Sequence, residues 1–217
     1  MPVRPSLKGL QDSQPMNIRL CRPADAAQIA DIYAPFCGDS PVSFEIAPPD
    51  AAEMSRRIEN ISRRFPWLVA EENGAVAGYA YASPHRERAA YRWSADVTVY
   101  IRDGFRRRGV GRALYSSLFA LLRLQGYFKA YAGITMPNAG STGLHAAMGF
   151  RMVGVYEEVG YKVGAWHDVS WWGLALQPPV NPPPEPRAFP DIAGSPETLA
   201  AIKIGDRMFK PASQTKK

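Results

Sequence analysis

Between Val97 and Leu114 the chain passes from Val97-Thr98-Val99-Tyr100-Ile101 through Arg102-Asp103-Gly104-Phe105-Arg106-Arg107-Arg108 into Gly109-Val110-Gly111-Arg112-Ala113-Leu114. The first five residues have strand character. From Gly109 the apolar residues Val110, Leu114, Leu118, Leu121 and Leu122 keep helical spacing. A strand therefore feeds a loop that opens a helix through two glycines. Glycine leaves no Cβ between a backbone N–H and a ligand, and such amides lie at the positive end of the helix dipole, where they can hold a diphosphate. Arg102, Arg106, Arg107, Arg108 and Arg112 add a positive field to the same turn. A P-loop would need Gly-Lys-Ser/Thr, which is absent, and a dinucleotide fingerprint would need a small residue where Leu114 stands. The plainer reading, a charged turn before an amphipathic helix, is outweighed by the strand–loop–helix context.

The surrounding pattern alternates in the same way. Residues 18–21 read as a short strand, and Pro23 and Asp25 open a helix to about Phe36. A second helix starts near Asp50, with Met54, Ile58, Ile61 and Phe65 as its apolar stripe. Strands at 67–70 and 75–82 flank Asn73-Gly74, a pair suited to a hairpin turn with positive φ at both positions. Strands at 93–101 and 128–134, a helix at about 139–148 and two closing strands ending near Leu176 complete an α/β layout with a mixed sheet. Residues 1–16 read as a flexible arm, 17–177 as the folded domain, and 178–217 as a proline-rich extension. In that extension Ser195, Pro196 and Gly205 mark the cap, first turn and stop of one helix. Leu199, Ile202, Met208 and Phe209 suit docking on an apolar surface, such as that of a partner copy, against the alternative of a disordered tail.

Composition narrows the chemistry. Two cysteines and three histidines among 217 residues, without ligand spacing, leave no basis for a disulfide framework or a metal cluster. No apolar run approaches the roughly 18 residues of a membrane span, and the first sixteen residues lack the hydrophobic stretch of a secretory signal. A cytoplasmic protein without membrane contact is expected. The net charge of +6 favours anionic partners. Its arginines gather at the glycine turn instead of alternating with aromatics along a strand, which argues against a nucleic-acid-binding module.

Arg106-Arg107-Arg108-Gly109-Val110-Gly111 resembles the Q/R-x-x-G-x-G/A signature of the GNAT N-acetyltransferase superfamily, whose loop amides bind the pyrophosphate of acetyl-coenzyme A. Asn138-Ala139-Gly140-Ser141-Thr142-Gly143-Leu144-His145-Ala146-Ala147-Met148-Gly149-Phe150 resembles its second segment, whose asparagine and serine contact the pantetheine arm. Residues 42–45, 65–71, 88–93 and 160–169 narrow the resemblance to the phosphinothricin acetyltransferase-like subfamily, over about 17–177. The resemblance implies a mostly antiparallel sheet flanked by helices, acetyl-coenzyme A as co-substrate, a small amine acceptor and a homodimer. It assigns Arg106, Arg107, Arg108, Gly109, Val110, Gly111, Arg112, Asn138 and Ser141 to the cofactor. The backbone N–H of Val99 or Tyr100 would serve the thioester carbonyl oxygen as charge develops there.

The reaction needs a free amine. With ordinary pKa values of about 7.7–8.0 for an α-amino group and about 10.4 for lysine, deprotonation at pH 7 costs roughly 1 and over 4 kcal/mol. A general base on a neighbouring strand is the remedy. Asp96 is the candidate: strands disfavour aspartate, and alternation puts it on one face with Thr98 and Tyr100. The subfamily has a glutamate there, one methylene longer, and the competing role for Asp96 is an ion pair with Arg92. The resemblance also gives His145 acid or base duty; the alternative is a core histidine on its helix. Phe44, Glu45, Arg88 and Tyr91 match acceptor-contacting positions, Arg88 for an anionic group and Glu45 for the ammonium. The same-fold rival is a peptide or protein N-acetyltransferase. After Phe44 the chain reads Glu45-Ile46-Ala47, where herbicide-inactivating members have Arg-Thr-Glu, and Val163 replaces a histidine found in some.

Overall fold

A computed structural model describes residues 15–209. The arm expected at 1–16 falls almost wholly outside them, as do residues 210–217. Seven strands form one sheet in the order β1-β2-β3-β4-β5-β7-β6. They are β1 (Asn17–Leu20), β2 (Trp67–Glu72), β3 (Ala75–Pro84), β4 (Ser94–Ile101), β5 (Lys129–Thr135), β6 (Arg151–Lys162) and β7 (Ala165–Ala175). Only β4 and β5 run parallel; every other neighbouring pair is antiparallel. The helices are α1 (Ala26–Tyr33), α2 (Ala51–Ser62), α3 (Val110–Gln125), α4 (Ala139–Ala147) and α5 (Pro196–Ile202).

Local chemistry explains most boundaries. Asn73 and Gly74 adopt φ of 52° and 80°, closing the β2–β3 hairpin in the turn its strand twist favours. Asp50, Asn138 and Ser195 cap α2, α4 and α5 by accepting the backbone N–H of Glu53, Ser141 and Thr198. Each face of the sheet then buries its own cluster. Ala95, Val97 and Val99 of β4 pack with Leu114, Leu118 and Leu121 of α3. On the opposite face Tyr79, Tyr81 and Tyr100 meet α1 and α2 through Ile29, Tyr33, Met54 and Ile58. Phe65, expected in the α2 stripe, lies beyond the end of that helix and is buried on the α3 side.

The C-terminal segment returns to its own chain. Phe189, Ile192, Ala201 and Ile202 enter the α3-side core. Ser117 Oγ donates to the Ile202 carbonyl (2.7 Å) and accepts from Gly205 N–H (2.9 Å). Asp206 accepts the N–H of Ile18 at the start of β1 (2.5 Å). Neither docking on a partner nor disorder is needed for residues 178–209, and Leu199 stays exposed. Gly205 does not stop α5, which ends three residues earlier; it opens a following 3₁₀ turn.

Candidate active site

The sheet opens where its one parallel pair parts. β4 and β5 are in register only at Ser94–Lys129, Ala95–Ala130 and Asp96–Tyr131. Beyond them β4 continues against β3 to Ile101, and β5 continues against β7 to Thr135. The facing edges of Val97–Ile101 and Ala132–Thr135 have no strand between them, so backbone groups there are available to a ligand. The helices that follow the two strands begin at the mouth of this wedge. The first turn of α3 packs so closely on α4 that a Cβ on Gly111 would stand 2.9 Å from Leu144 Cδ2.

Gly109 is the N-cap of α3, with φ 83°, and no side chain caps the first-turn amides. Those N–H groups lack intrahelical partners, which makes the turn a receptor for an anion. Around it the arginines separate. Arg102 turns inward, donating to the carbonyls of Val76 (2.8 Å) and Gln28 (3.3 Å), and so is removed from the expected positive field. Arg108 pairs with Glu72 (2.6 Å). Arg106, Arg107 and Arg112 remain exposed, with Arg106 over the Phe36 ring and 3.9 Å from Asp103. Val110 is buried beneath the turn. On α4, Asn138 and Ser141 are half-buried, and Asn138 Oδ1 is spent on the Ser141 amide (3.1 Å).

Asp96 lies at the apex of the wedge, on the face of Thr98 and Tyr100, as strand alternation requires. It does not pair with Arg92, which instead meets Glu185 of the C-terminal segment (2.7 Å). Its partner is His85, whose Nδ1 is 2.7 Å from Asp96 Oδ1. Burial pushes the Asp96 carboxyl above its usual value, against the opposing pull of His85 and Arg86. Nothing in the sequence reading singled out His85; its signal is a histidine just past the strand that pairs with the candidate base.

His145 takes up a different position. It is 3% exposed, between Tyr115 and Phe150. Its Nδ1 bonds the Ser141 carbonyl (2.8 Å), so Nδ1 is the donor, and Nε2 accepts from the Tyr115 hydroxyl (3.1 Å). Burial lowers its pKa. Both ring nitrogens are engaged inside the core, so the geometry is that of the core-histidine alternative.

The loop before α2 carries Phe44 and Glu45. Lys162, itself buried, donates to the carbonyls of Ser43 (2.5 Å) and Glu45 (2.7 Å) and fixes this loop to β6. Phe44 lies over Gly160 and is half-exposed. Glu45 is gripped by both guanidinium nitrogens of Arg57 (2.7 and 3.0 Å) and by the Tyr33 hydroxyl (3.0 Å). Hydrogen bonds from Arg57 hold its carboxyl below the usual range, against a smaller cost of burial. Its charge is thus met within the protein and not left open for an ammonium. Arg88 and Tyr91 line a cleft of about 270 Å³ with His85, Arg86 and Arg92. Among the described residues the Arg88 side chain has no hydrogen-bond or ion-pair partner, and no His/Cys/Asp/Glu group could hold a metal ion. No helix there is long and apolar enough to cross a membrane.

The family model "Acetyltransferase (GNAT) domain" matches residues 18–171. The chain is 38% identical to phosphinothricin N-acetyltransferase of Streptomyces viridochromogenes, over 80% of this chain and 94% of that one. It is 33% identical to L-methionine sulfoximine/L-methionine sulfone acetyltransferase of Pseudomonas aeruginosa, over 77% and 98%. The crystal structure of a GNAT superfamily phosphinothricin acetyltransferase from Sinorhizobium meliloti in complex with acetyl-coenzyme A superposes with a TM-score of 0.75 at 33% identity, covering 82% and 97%. The open wedge, the uncapped glycine turn and the close packing of the α3 N-terminus on α4 fit the same cofactor here. An N-acetyltransferase that draws its acetyl group from acetyl-coenzyme A, this chain belongs to the GNAT acetyltransferase family.

Proposed function

We propose that the enzyme acetylates the amine of a small amino-acid-like acceptor bearing an anionic group, with Asp96 as general base. The observation that carries this reading is a carboxylate at the apex of the β4–β5 wedge, hydrogen-bonded to His85, which lines a cleft that also offers an unpaired guanidinium, Arg88. A planar guanidinium recognises carboxylate or phosphinate through paired hydrogen bonds. Tyr91 supplies an apolar wall of the cleft, Phe44 lies over Gly160, and Glu45 shapes its loop through Arg57. Trp171, beside Arg86 and His85, adds a buried indole N–H without a protein partner among the described residues.

When bound, acetyl-coenzyme A supplies an activated acetyl thioester. The first-turn amides of α3, from Gly109, Val110, Gly111 and Arg112, would hold its diphosphate, with Arg106 and Arg107 supplying charge beside Arg108, which is already paired with Glu72. Asn138 and Ser141 serve the pantetheine arm, and a β4 amide at Val99 or Tyr100 donates to the carbonyl oxygen. Asp96 accepts the proton of the acceptor ammonium, directly or through a water; the freed amine would then attack the thioester carbonyl carbon, the C–S bond would break, and coenzyme A would leave as its thiol with the proton that the nitrogen gives up. An acceptor panel tests the assignment. Amino acids with phosphinate, sulfoximine or sulfone side chains should turn over with kcat/KM at least 100-fold above a peptide bearing a free N-terminus. The reverse order would move the assignment to peptides. Asp96→Asn should lower kcat by about 10²–10⁴-fold with acetyl-coenzyme A affinity kept.

We also infer a homodimer and a cytoplasmic enzyme. Along β6–β7, Val153 (67%), Tyr161 (60%) and Trp166 (60%) are exposed, with Met152, Val155 and Tyr156 beside them. So long an apolar edge strand is a liability unless covered, and a second copy would cover it by two-fold symmetry. Sedimentation at micromolar protein should give twice the chain mass, and Trp166→Glu combined with Val153→Lys should give monomers.

A further inference from the structure

We propose that His85 is a positioning residue for the acetyl transfer, holding Asp96 so that its second carboxylate oxygen faces the acceptor amine. The inference rests on Asp96 being the base. A carboxylate only accepts, so the 2.7 Å contact makes His85 Nδ1 the donor and Asp96 Oδ1 the acceptor. Asp96 Oδ2 has no protein partner among the described residues and is the oxygen left for chemistry.

The imidazole is well placed to act as a fixed strut. Its side chain is only 12% exposed. It stacks on Tyr131 of β5 with ring centroids 4.4 Å apart and planes 21° apart. Tyr91 meets it edge-on at 5.9 Å and Trp171 of β7 at 6.1 Å. Three aromatic residues from three separate parts of the chain thus set the ring plane, and the ring sets the carboxylate rotamer. Aspartate has one carbon fewer than glutamate with which to reach the acceptor, so a misdirected rotamer costs it more.

The same contact biases the charge of Asp96. Burial raises its pKa, while the His85 hydrogen bond and the electrostatic pull of His85 and Arg86 lower it. The titratable and charged groups facing the pair are Arg86 from the β3–β4 connection, Tyr91 from the 3₁₀ turn after it, and Tyr131 from β5. None of these donates a hydrogen bond to Asp96, so loss of the imidazole leaves burial opposed only by Arg86. The base would then stay protonated to higher pH.

The test compares pH profiles of kcat/KM with one acceptor, so that ionisation of the acceptor cancels. His85→Phe keeps the stack on Tyr131 and removes the donor. Its acid limb should move up by about one pH unit, which is about tenfold in rate on the acid side, with KM for acetyl-coenzyme A unchanged. His85→Asn, which carries an N–H near the position of Nδ1, should move the limb back toward the wild-type position. A limb unmoved in His85→Phe, or equally displaced in His85→Asn, would overturn the inference while Asp96 stayed the base. An Asp96→Asn enzyme with wild-type kcat would instead remove the base, and the role of His85 with it.

Discussion

Replacing His145 by phenylalanine separates a core role from a catalytic one. The side chain is 3% exposed and makes two hydrogen bonds, Nδ1–H to the Ser141 carbonyl and Nε2 from the Tyr115 hydroxyl. Phenylalanine fits the space between Tyr115 and Phe150 but meets neither partner. Tyr115 is wholly buried, so its hydroxyl would be left unsatisfied at about 1–3 kcal/mol, and losing the bond to Ser141 adds about 0.5–1.5 kcal/mol. The sum, roughly 1.5–4.5 kcal/mol, corresponds to a Tm lowered by roughly 3–18 °C for a chain of this size. Urea unfolding should give the same loss as a lower midpoint with the slope kept. Well below the transition, kcat should stay within threefold of wild type.

Two controls sharpen the result. In Tyr115→Phe/His145→Phe the orphan hydroxyl is gone, so the double variant should recover at least 1 kcal/mol relative to additive losses. Burial depresses the His145 pKa, and a histidine whose folded pKa is depressed contributes stability above its unfolded value near 6.5 that is lost as pH falls. The variant should therefore lose less stability than wild type between pH 7 and pH 5.5. A variant with native Tm and kcat reduced 100-fold would refute the core assignment and return His145 to the chemistry.

Gly205→Ala should destabilise by roughly 1–3 kcal/mol in urea, because a Cβ there would stand 2.9 Å from the Ala113 carbonyl carbon and Ile18 Cγ1 and closer still to the carbonyl oxygen. A neutral result would mean the C-terminal segment does not pack on α3 and β1. Val163 turns the β6–β7 hairpin at φ 50°, a region costly for a β-branched residue, so Val163→Gly should raise stability by about 1 kcal/mol; a loss would show that the side chain earns its place by contact. Glu45 has its folded pKa depressed, chiefly by hydrogen bonds from Arg57, so its contribution is present above the unfolded value and lost as pH falls through the folded one. Glu45→Gln should be less stable than wild type at pH 7 and converge with it only as pH falls through the depressed folded value, below the ordinary glutamate range, as read by thermal melts.

What could be read from the chain and what could not divides along physical lines. Caps, the Asn73-Gly74 turn and the glycine N-cap of α3 are set by a few neighbouring residues, and so they were visible as spacing. Asp96 was found because strand parity is also local. Its partner was not, and the reason lies in how β3 is joined to β4. The two-residue turn after Glu72 fixes the first β2–β3 pairings, Glu72–Ala75 and Glu71–Val76, before a bulge shifts the register, whereas residues 85–93 connect β3 to β4 without such a constraint. Counting along the sequence therefore could not show that Ser83 stands opposite Asp96, and hence that His85 follows close to the carboxylate. Glu45 and Arg57 illustrate the same limit. They lie on a loop and a helix with no shared period, and only folding brings the guanidinium onto an acid that sequence alone left free for substrate. His145 shows the converse. The family resemblance identified the motif but not which flank of α4 faces the core, and that orientation comes from Tyr115 on α3. A side chain's chemistry follows from which polar atoms remain unspent after packing. By that measure the polar groups left unspent among the described residues of this site are Asp96 Oδ2, the Arg88 guanidinium and the unpaired edge of β4.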